Sequence, residues 1–220
     1  MVILAIDTSA GTSVALVSLD GELLARCDTS DTMRHAEVAG SGIARVLAEA
    51  GISAADVSLV AAGVGPGPFT GLRVGLAAAV AFATARNVPL LSTVSHDAIA
   101  RASYVSSGPE SFTNSLRVVT DARRKEVYWS EYSGMIDGIP ARSQGPALAK
   151  PEELAKPEDL EPVSGEPDSP VRLDAGSVSA ADLALVALAE HAAGIAREFQ
   201  PLYLRSPDVT LSAGPKRVVQ

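Results

Sequence analysis

The chain has 220 residues, of which 47% are hydrophobic and 4% aromatic, and a formal net charge of −8 at pH 7. That length allows one compact domain or two small lobes around a core of small aliphatic side chains. The negative balance argues against a large nucleic-acid-binding face supplied by this chain alone, because nucleic-acid phosphates reward Lys and Arg. A single cysteine, Cys27, excludes an internal disulfide and a cysteine cage for zinc.

In chain order, Val2–Ile6 is a continuous apolar run, the pattern of a strand buried on both faces. Two further strands follow, Val14–Ser18 and Leu23–Cys27, joined by the turn-forming pair Asp20-Gly21. Cys27 at the end of this pattern reads as a buried, inert thiol. A helix is predicted from about Arg34 to Ala50, with Ala39, Ile43, Val46, Leu47 and Ala50 on one face and Gly51 as its stop. A buried strand, Val57–Val64, runs into Gly65-Pro66-Gly67-Pro68 and a second helix, about Phe69–Ala85. A strand at Pro89–Thr93 and a helix at about His96–Tyr104 complete a βββαβαβα unit.

The second half opens again on a hairpin, Leu116–Thr120 and Glu126–Tyr132, around Asp121-Ala122-Arg123-Arg124-Lys125. An acidic, Pro-rich stretch follows; between Lys150 and Asp174 eight acids face three bases. A last helix runs from about Ser179, a predicted N-cap, to Ala193, and the tail from Ser206 has little pattern. The opening MVILAIDTS lacks a basic leader region, and the longest apolar stretch, twelve residues between Arg73 and Arg86, is short of the about 20 that a bilayer span needs. The chain therefore reads as soluble and cytoplasmic, with no membrane partner.

Both halves begin with an apolar strand ending in Asp, Ile6-Asp7 and Thr120-Asp121, which suggests a duplicated architecture with a reduced second copy. Asp7-Thr8-Ser9-Ala10-Gly11-Thr12-Ser13 resembles the first phosphate loop of the actin, sugar-kinase and Hsp70 superfamily. The same string also suits an Asx-type turn, with Asp7 accepting hydrogen bonds from Ser9, and both readings stay open. A superfamily ATPase needs glycines after the second Asp so that phosphate can approach the backbone. Side chains of Ala122, Arg123, Arg124 and Lys125 stand there instead, which argues against autonomous phosphoryl transfer. Gly71 and Gly75, with Ala78 and Phe82 following, give the second helix a flat small-residue stripe suited either to packing on its own sheet or to a subunit interface.

Four strings, Ile3-Leu4-Ala5-Ile6-Asp7-Thr8-Ser9, Gly65-Pro66-Gly67-Pro68-Phe69-Thr70-Gly71-Leu72-Arg73, Asp121-Ala122-Arg123-Arg124-Lys125-Glu126-Val127-Tyr128 and Pro201-Leu202-Tyr203-Leu204-Arg205, resemble the TsaB (YeaZ) family in order and spacing. Pro68 stands where that family usually has Ser. The resemblance implies an α/β, actin-like two-lobe fold of duplicated mixed sheets flanked by helices. The N-terminal lobe (1–105) would bind the partner, and the reduced C-terminal lobe (106–220) would carry the acidic segment 150–174. It further implies a non-catalytic subunit that supports the transferase TsaD, joined by the ATPase TsaE, in placing threonylcarbamoyl on the adenosine beside the tRNA anticodon. tRNA would be reached only through the complex, and a homodimer would form in the partners' absence.

On the same ground the interface is expected at His35, Ala39, Ile43, Phe69, Thr70, Gly71, Arg73, Val74, Gly75, Ala78 and Phe82. Gly75→Arg is expected to abolish binding and leave the monomer folded. Asp7, Thr8 and Ser9 are candidates for a vestigial nucleotide contact, with ATP or ADP held only at a junction with partner subunits. No catalytic or metal residue is assigned. The alternatives within the superfamily are a small ATP-dependent kinase and a metal-dependent glycoprotease-like enzyme. The first is disfavoured by the filled second loop. The second needs a His pair one helical turn apart, whereas His35, His96 and His191 are widely spaced.

Overall fold

A computed structural model describes residues 1–29, 35–154 and 170–205, with backbone only at 35–37. The expected start at Arg34, most of the acidic segment and the tail from Ser206 lie outside the described residues.

Three successive strands, β1 (Val2–Asp7), β2 (Thr12–Ser18) and β3 (Leu23–Thr29), form the antiparallel opening. β4 (Val57–Gly63) and β5 (Leu90–Thr93) extend it in parallel, giving a sheet of order β3-β2-β1-β4-β5. The second sheet has the order β8-β7-β6-β9, from β6 (Leu116–Asp121), β7 (Val127–Ile136), β8 (Ile139–Ala149) and β9 (Val171–Asp174). β1 and β6 are equivalent: each pairs antiparallel with the strand after it and parallel with a later one. The fold is thus the duplicated, actin-like two-lobe α/β architecture, with five strands in the first sheet and four in the second.

The first sheet is covered on both faces, so all six residues of β1 are buried. Leu4, Ile6, Val14 and Leu16 face α1 (His35–Ala50) and α2 (Phe69–Arg86), where they meet Val46, Leu72 and Leu76. Ile3, Ala5, Ala15 and Val17 face the other way, onto α3 (Ser95–Ser107) and α4 (Ala180–Ala192). Beyond those helices lie Val118 and Tyr132 of the second sheet. Side-chain alternation along each strand divides these two cores. The four layers share material across residue 105, because α4, late in the chain, packs against the first sheet. Fully burying each large aliphatic side chain contributes roughly 1.5–3 kcal/mol.

Ser179 caps α4 as expected, its hydroxyl accepting from Asp182 N at 3.2 Å. At α2 the N-cap is Pro68, with no side-chain cap. Cys27 is half-buried against the α1 side of the core, rather than fully enclosed. Strands β8 and β9 fall outside the sequence expectations. β8 contains Pro140 and Pro146 and sits at the sheet edge, where proline is tolerated. β9 has four residues, too few to show a period, and exists through its parallel pairing with β6.

Candidate functional site

The four strings singled out in the sequence converge on one end of the molecule. The loop after β1 is closed by its own side chains. Asp7 Oδ1 accepts from Ser9 N at 2.8 Å and Ser9 Oγ at 2.6 Å, and Ser95 Oγ, at the start of α3, donates to Oδ2 at 2.5 Å. This is the Asx-turn geometry. Asp7, Thr8 and Ser9, the residues expected to touch a nucleotide, are 1%, 1% and 7% exposed.

The loop is also sealed from outside by α2. Thr8 Oγ1 donates to Gly71 O at 2.7 Å and accepts from Gly75 N at 3.1 Å. A Cβ on Gly75 would collide with the Thr8 hydroxyl, and one on Gly63 would overlap the Asp7 carboxylate. The small-residue stripe therefore faces inward, and close packing within the lobe accounts for it. This corrects the expectation that Gly75→Arg leaves the monomer folded. Ala39, Gly71 and Gly75 are buried in the lobe; Ile43, Phe69, Val74, Ala78 and Phe82 are half-buried; Thr70 and Arg73 are exposed. The His35 side chain lies outside the described residues. The outward stripe of α2 is instead Thr70, Arg73, Ala77, Val80, Ala81 and Thr84, with Val80 40% exposed. The middle of that face, Ala77, Val80 and Ala81, is small and apolar although it meets solvent, and Thr70, Arg73 and Thr84 flank it.

The corresponding corner after β6 is built differently. Arg123, Arg124 and Lys125 are exposed and hold left-handed backbone angles, φ 65°, 53° and 62°. Each such L-residue costs about 1–2 kcal/mol. Asp121 Oδ1 accepts from Arg123 N at 2.8 Å, so a backbone donor that a phosphate cradle would use is already engaged.

Residues 201–205 strap these elements together. Leu202 N donates to Val64 O at 2.8 Å and its side chain joins the α1/α2 core. Tyr203 packs against Phe69 with ring centroids 4.6 Å apart and planes tilted by 48°. The Arg73 guanidinium lies 5.8 and 5.4 Å from the Phe69 and Tyr203 ring centres, and Arg73 Nε donates to the Tyr203 hydroxyl at 3.1 Å. Arg205 pairs with Glu126 and donates to Arg123 O at 3.4 Å. Tyr128 OH reaches Gly67 O at 3.4 Å. These contacts give the co-occurrence of the four strings a physical basis.

A buried polar seam between the sheets is absent from the sequence reading. His96 is fully buried, its ring nitrogens 2.8 Å from Ser130 Oγ and 2.9 Å from Thr120 Oγ1; burial, with Arg142 nearby, lowers its pKa to about 3. Burial raises Asp97 to about 6, against the opposing pull of Arg142, the Tyr132 hydroxyl (2.7 Å) and Arg197. Arg142 Nε lies 3.2 Å from Asp97 as an ion pair without hydrogen-bond alignment. Arg197 pairs with Glu190 at 2.5 Å. The only sequence signal was a Ser-His-Asp run placed on a buried helix start.

Among the described residues no three His, Cys, Asp or Glu gather as metal ligands, and no helix is long and apolar enough to cross a membrane. The sequence model of the TsaD family, tRNA N6-adenosine threonylcarbamoyltransferase, matches residues 25–209. An uncharacterized protein of Mycobacterium tuberculosis is 37% identical over 210 residues, 94% of this chain and 92% of its own length. The tRNA threonylcarbamoyladenosine biosynthesis protein TsaB of Escherichia coli is 34% identical over 156 residues, 69% of this chain and 64% of that protein. The solved structure of YeaZ from Pseudomonas aeruginosa superposes with a TM-score of 0.70 at 28% identity, covering 90% of this chain and 97% of that one.

Proposed function

From the premise that the chain belongs to the TsaB/YeaZ family and takes part in forming threonylcarbamoyladenosine in tRNA, we propose that it is the non-catalytic partner of a TsaD-class transferase. The single observation that carries this reading is the state of the two equivalent corners. Phosphoryl transfer needs two facing phosphate loops whose backbone donors are open. Here Asp7 is held by Ser9 and Ser95 inside the lobe, and at the Asp121 corner the Arg123 N–H is taken by Asp121 and no glycine lets phosphate reach the backbone. ATP or ADP would then bind only at a junction with partner subunits, and tRNA would be met only through the complex, in the cytoplasm. A kinase or metal-dependent glycoprotease reading has no comparable support.

The transferase docks on the outward faces of α1 and α2, which lie side by side on the first sheet. Their exposed small residues, Ala44 and Ala48 on α1 and Ala77, Val80 and Ala81 on α2, permit close helix approach, and Arg73 and Thr70 supply polar contacts at one end. A TsaE-class ATPase joins that assembly, and the same face forms a homodimer when the transferase is missing. Co-purification with a TsaD-class transferase tests this. A complex is expected at micromolar concentration, lost in Val80→Arg while thermal unfolding of that variant is unchanged. Absence of any complex with the unmodified chain would sink the reading.

A further inference from the structure

The β6–β7 turn is a strained backbone carrying exposed charge. Left-handed angles are cheap for glycine and tolerated by Asn and Asp, yet Arg123, Arg124 and Lys125 hold them in succession. Strain of this kind persists only where the surroundings enforce it, and it points to a functional role for the side chains displayed. The enforcing contacts are explicit. Ala122 N donates to Glu126 O at 3.0 Å and Glu126 N to Arg123 O at 3.1 Å, inside the Asp121 bond to Arg123 N. Arg205 locks the same turn from the strap by pairing with Glu126.

Arg123 pairs with Asp121 at 3.7 Å and Arg205 with Glu126, so the local positive excess on a chain of net charge −8 is that of Arg124 and Lys125. It is an exposed turn with cationic side chains, an arrangement that reads backbone charge and carries no base code.

We propose that the Asp121–Glu126 hairpin is a phosphodiester contact through which this chain helps to hold tRNA in the assembled complex. The proposal rests on the partner-subunit reading above. An acidic protein surface has the same sign of charge; tRNA is favoured because the family acts on it.

The full chain, assembled with a TsaD-class transferase, is titrated with fluorescently labelled tRNA between about 50 and 200 mM salt. The unmodified chain is compared with the double variant Arg124→Asn/Lys125→Asn, since Asn removes the charge and still accepts the left-handed backbone. Both are expected to assemble equally. The double variant should bind tRNA about three- to tenfold more weakly at 100 mM salt, with a log–log salt slope smaller by about 1.5–2, close to one counterion per lost contact. Arg124→Lys should restore its share of the slope. Equal affinity and slope in both assembled complexes would overturn the proposal and leave the partner-subunit reading standing. An equal loss for poly-glutamate as for tRNA would assign the tip to an acidic protein and overturn it too. Failure of the unmodified chain to assemble would remove the partner-subunit reading and this proposal together.

Discussion

The turns after β1 and β6 occupy equivalent corners of two duplicated sheets and have diverged in opposite directions. The first is closed from within: its carboxylate is consumed by Ser9 and Ser95, and α2 seals it through Thr8. The second stays at the surface, strained and basic. A catalytic member of this architecture would need both corners open toward one ligand. Here one is buried and the other is a charged surface turn, and a shared topology does not by itself imply a shared chemistry.

Substitutions at the two corners should therefore differ in size and even in sign. The largest effect is expected at the seal of the first. Gly75→Ala drives a methyl into the Thr8 hydroxyl and should cost about 2–3 kcal/mol in a denaturant titration, whereas Gly75→Arg should leave no cooperative unfolding transition. Gly75→Arg folding normally would show that α2 does not sit on the Asp7 loop. Next come the paired aspartates. Asp7→Ala strands three buried donors and should cost about 3 kcal/mol, whereas Asp121→Ala, at an exposed turn, should cost about 1 kcal/mol or less. Equal costs would remove the distinction between the corners.

The seam that joins the two sheets adds a pH signature of intermediate size. His96, held neutral at a folded value near 3 against about 6.5 unfolded, contributes stability that is lost as pH falls from about 6.5 toward 3. Asp97 works in the opposite sense: raised to about 6, it contributes stability below about 4 that is lost as pH rises through 6. The unmodified chain should thus lose stability only weakly between pH 6 and 4, where the two offset. Asp97→Asn should lose it steadily over that window, as read from urea midpoints at pH 7, 6, 5 and 4. The smallest effect is expected at the second corner. Lys125→Gly relieves a left-handed L-residue and should leave stability unchanged or raise it by up to about 1 kcal/mol.

Much of this was legible in the sequence because the signals were local. The continuous run at Val2–Ile6, the Asp20-Gly21 turn, the Ser179 cap and the repeated strand-then-Asp pattern each rest on neighbouring residues, and each is found in place. The inward side of α2 was not legible. Small and apolar residues on most of its turns give little contrast to say which side is covered, so the Gly71–Gly75 stripe fits packing and a partner surface equally until the Thr8 contact shows it facing inward. The polar seam was hidden for a different reason: Asp97, Tyr132, Arg142, Glu190 and Arg197 come together from four separate elements and the segment after α4, and no local pattern announces such a cluster. β8 was obscured by Pro140 and Pro146, which an edge strand accommodates and a sequence pattern does not.

The central claim, that neither corner supports nucleotide chemistry in this chain by itself, is tested most directly by ATP turnover of the purified chain at saturating ATP and Mg²⁺. The expected result is a rate indistinguishable from buffer, the same for the unmodified chain and for Asp7→Asn. Turnover that co-elutes with the folded chain and disappears in a folded Asp7→Asn variant would contradict it.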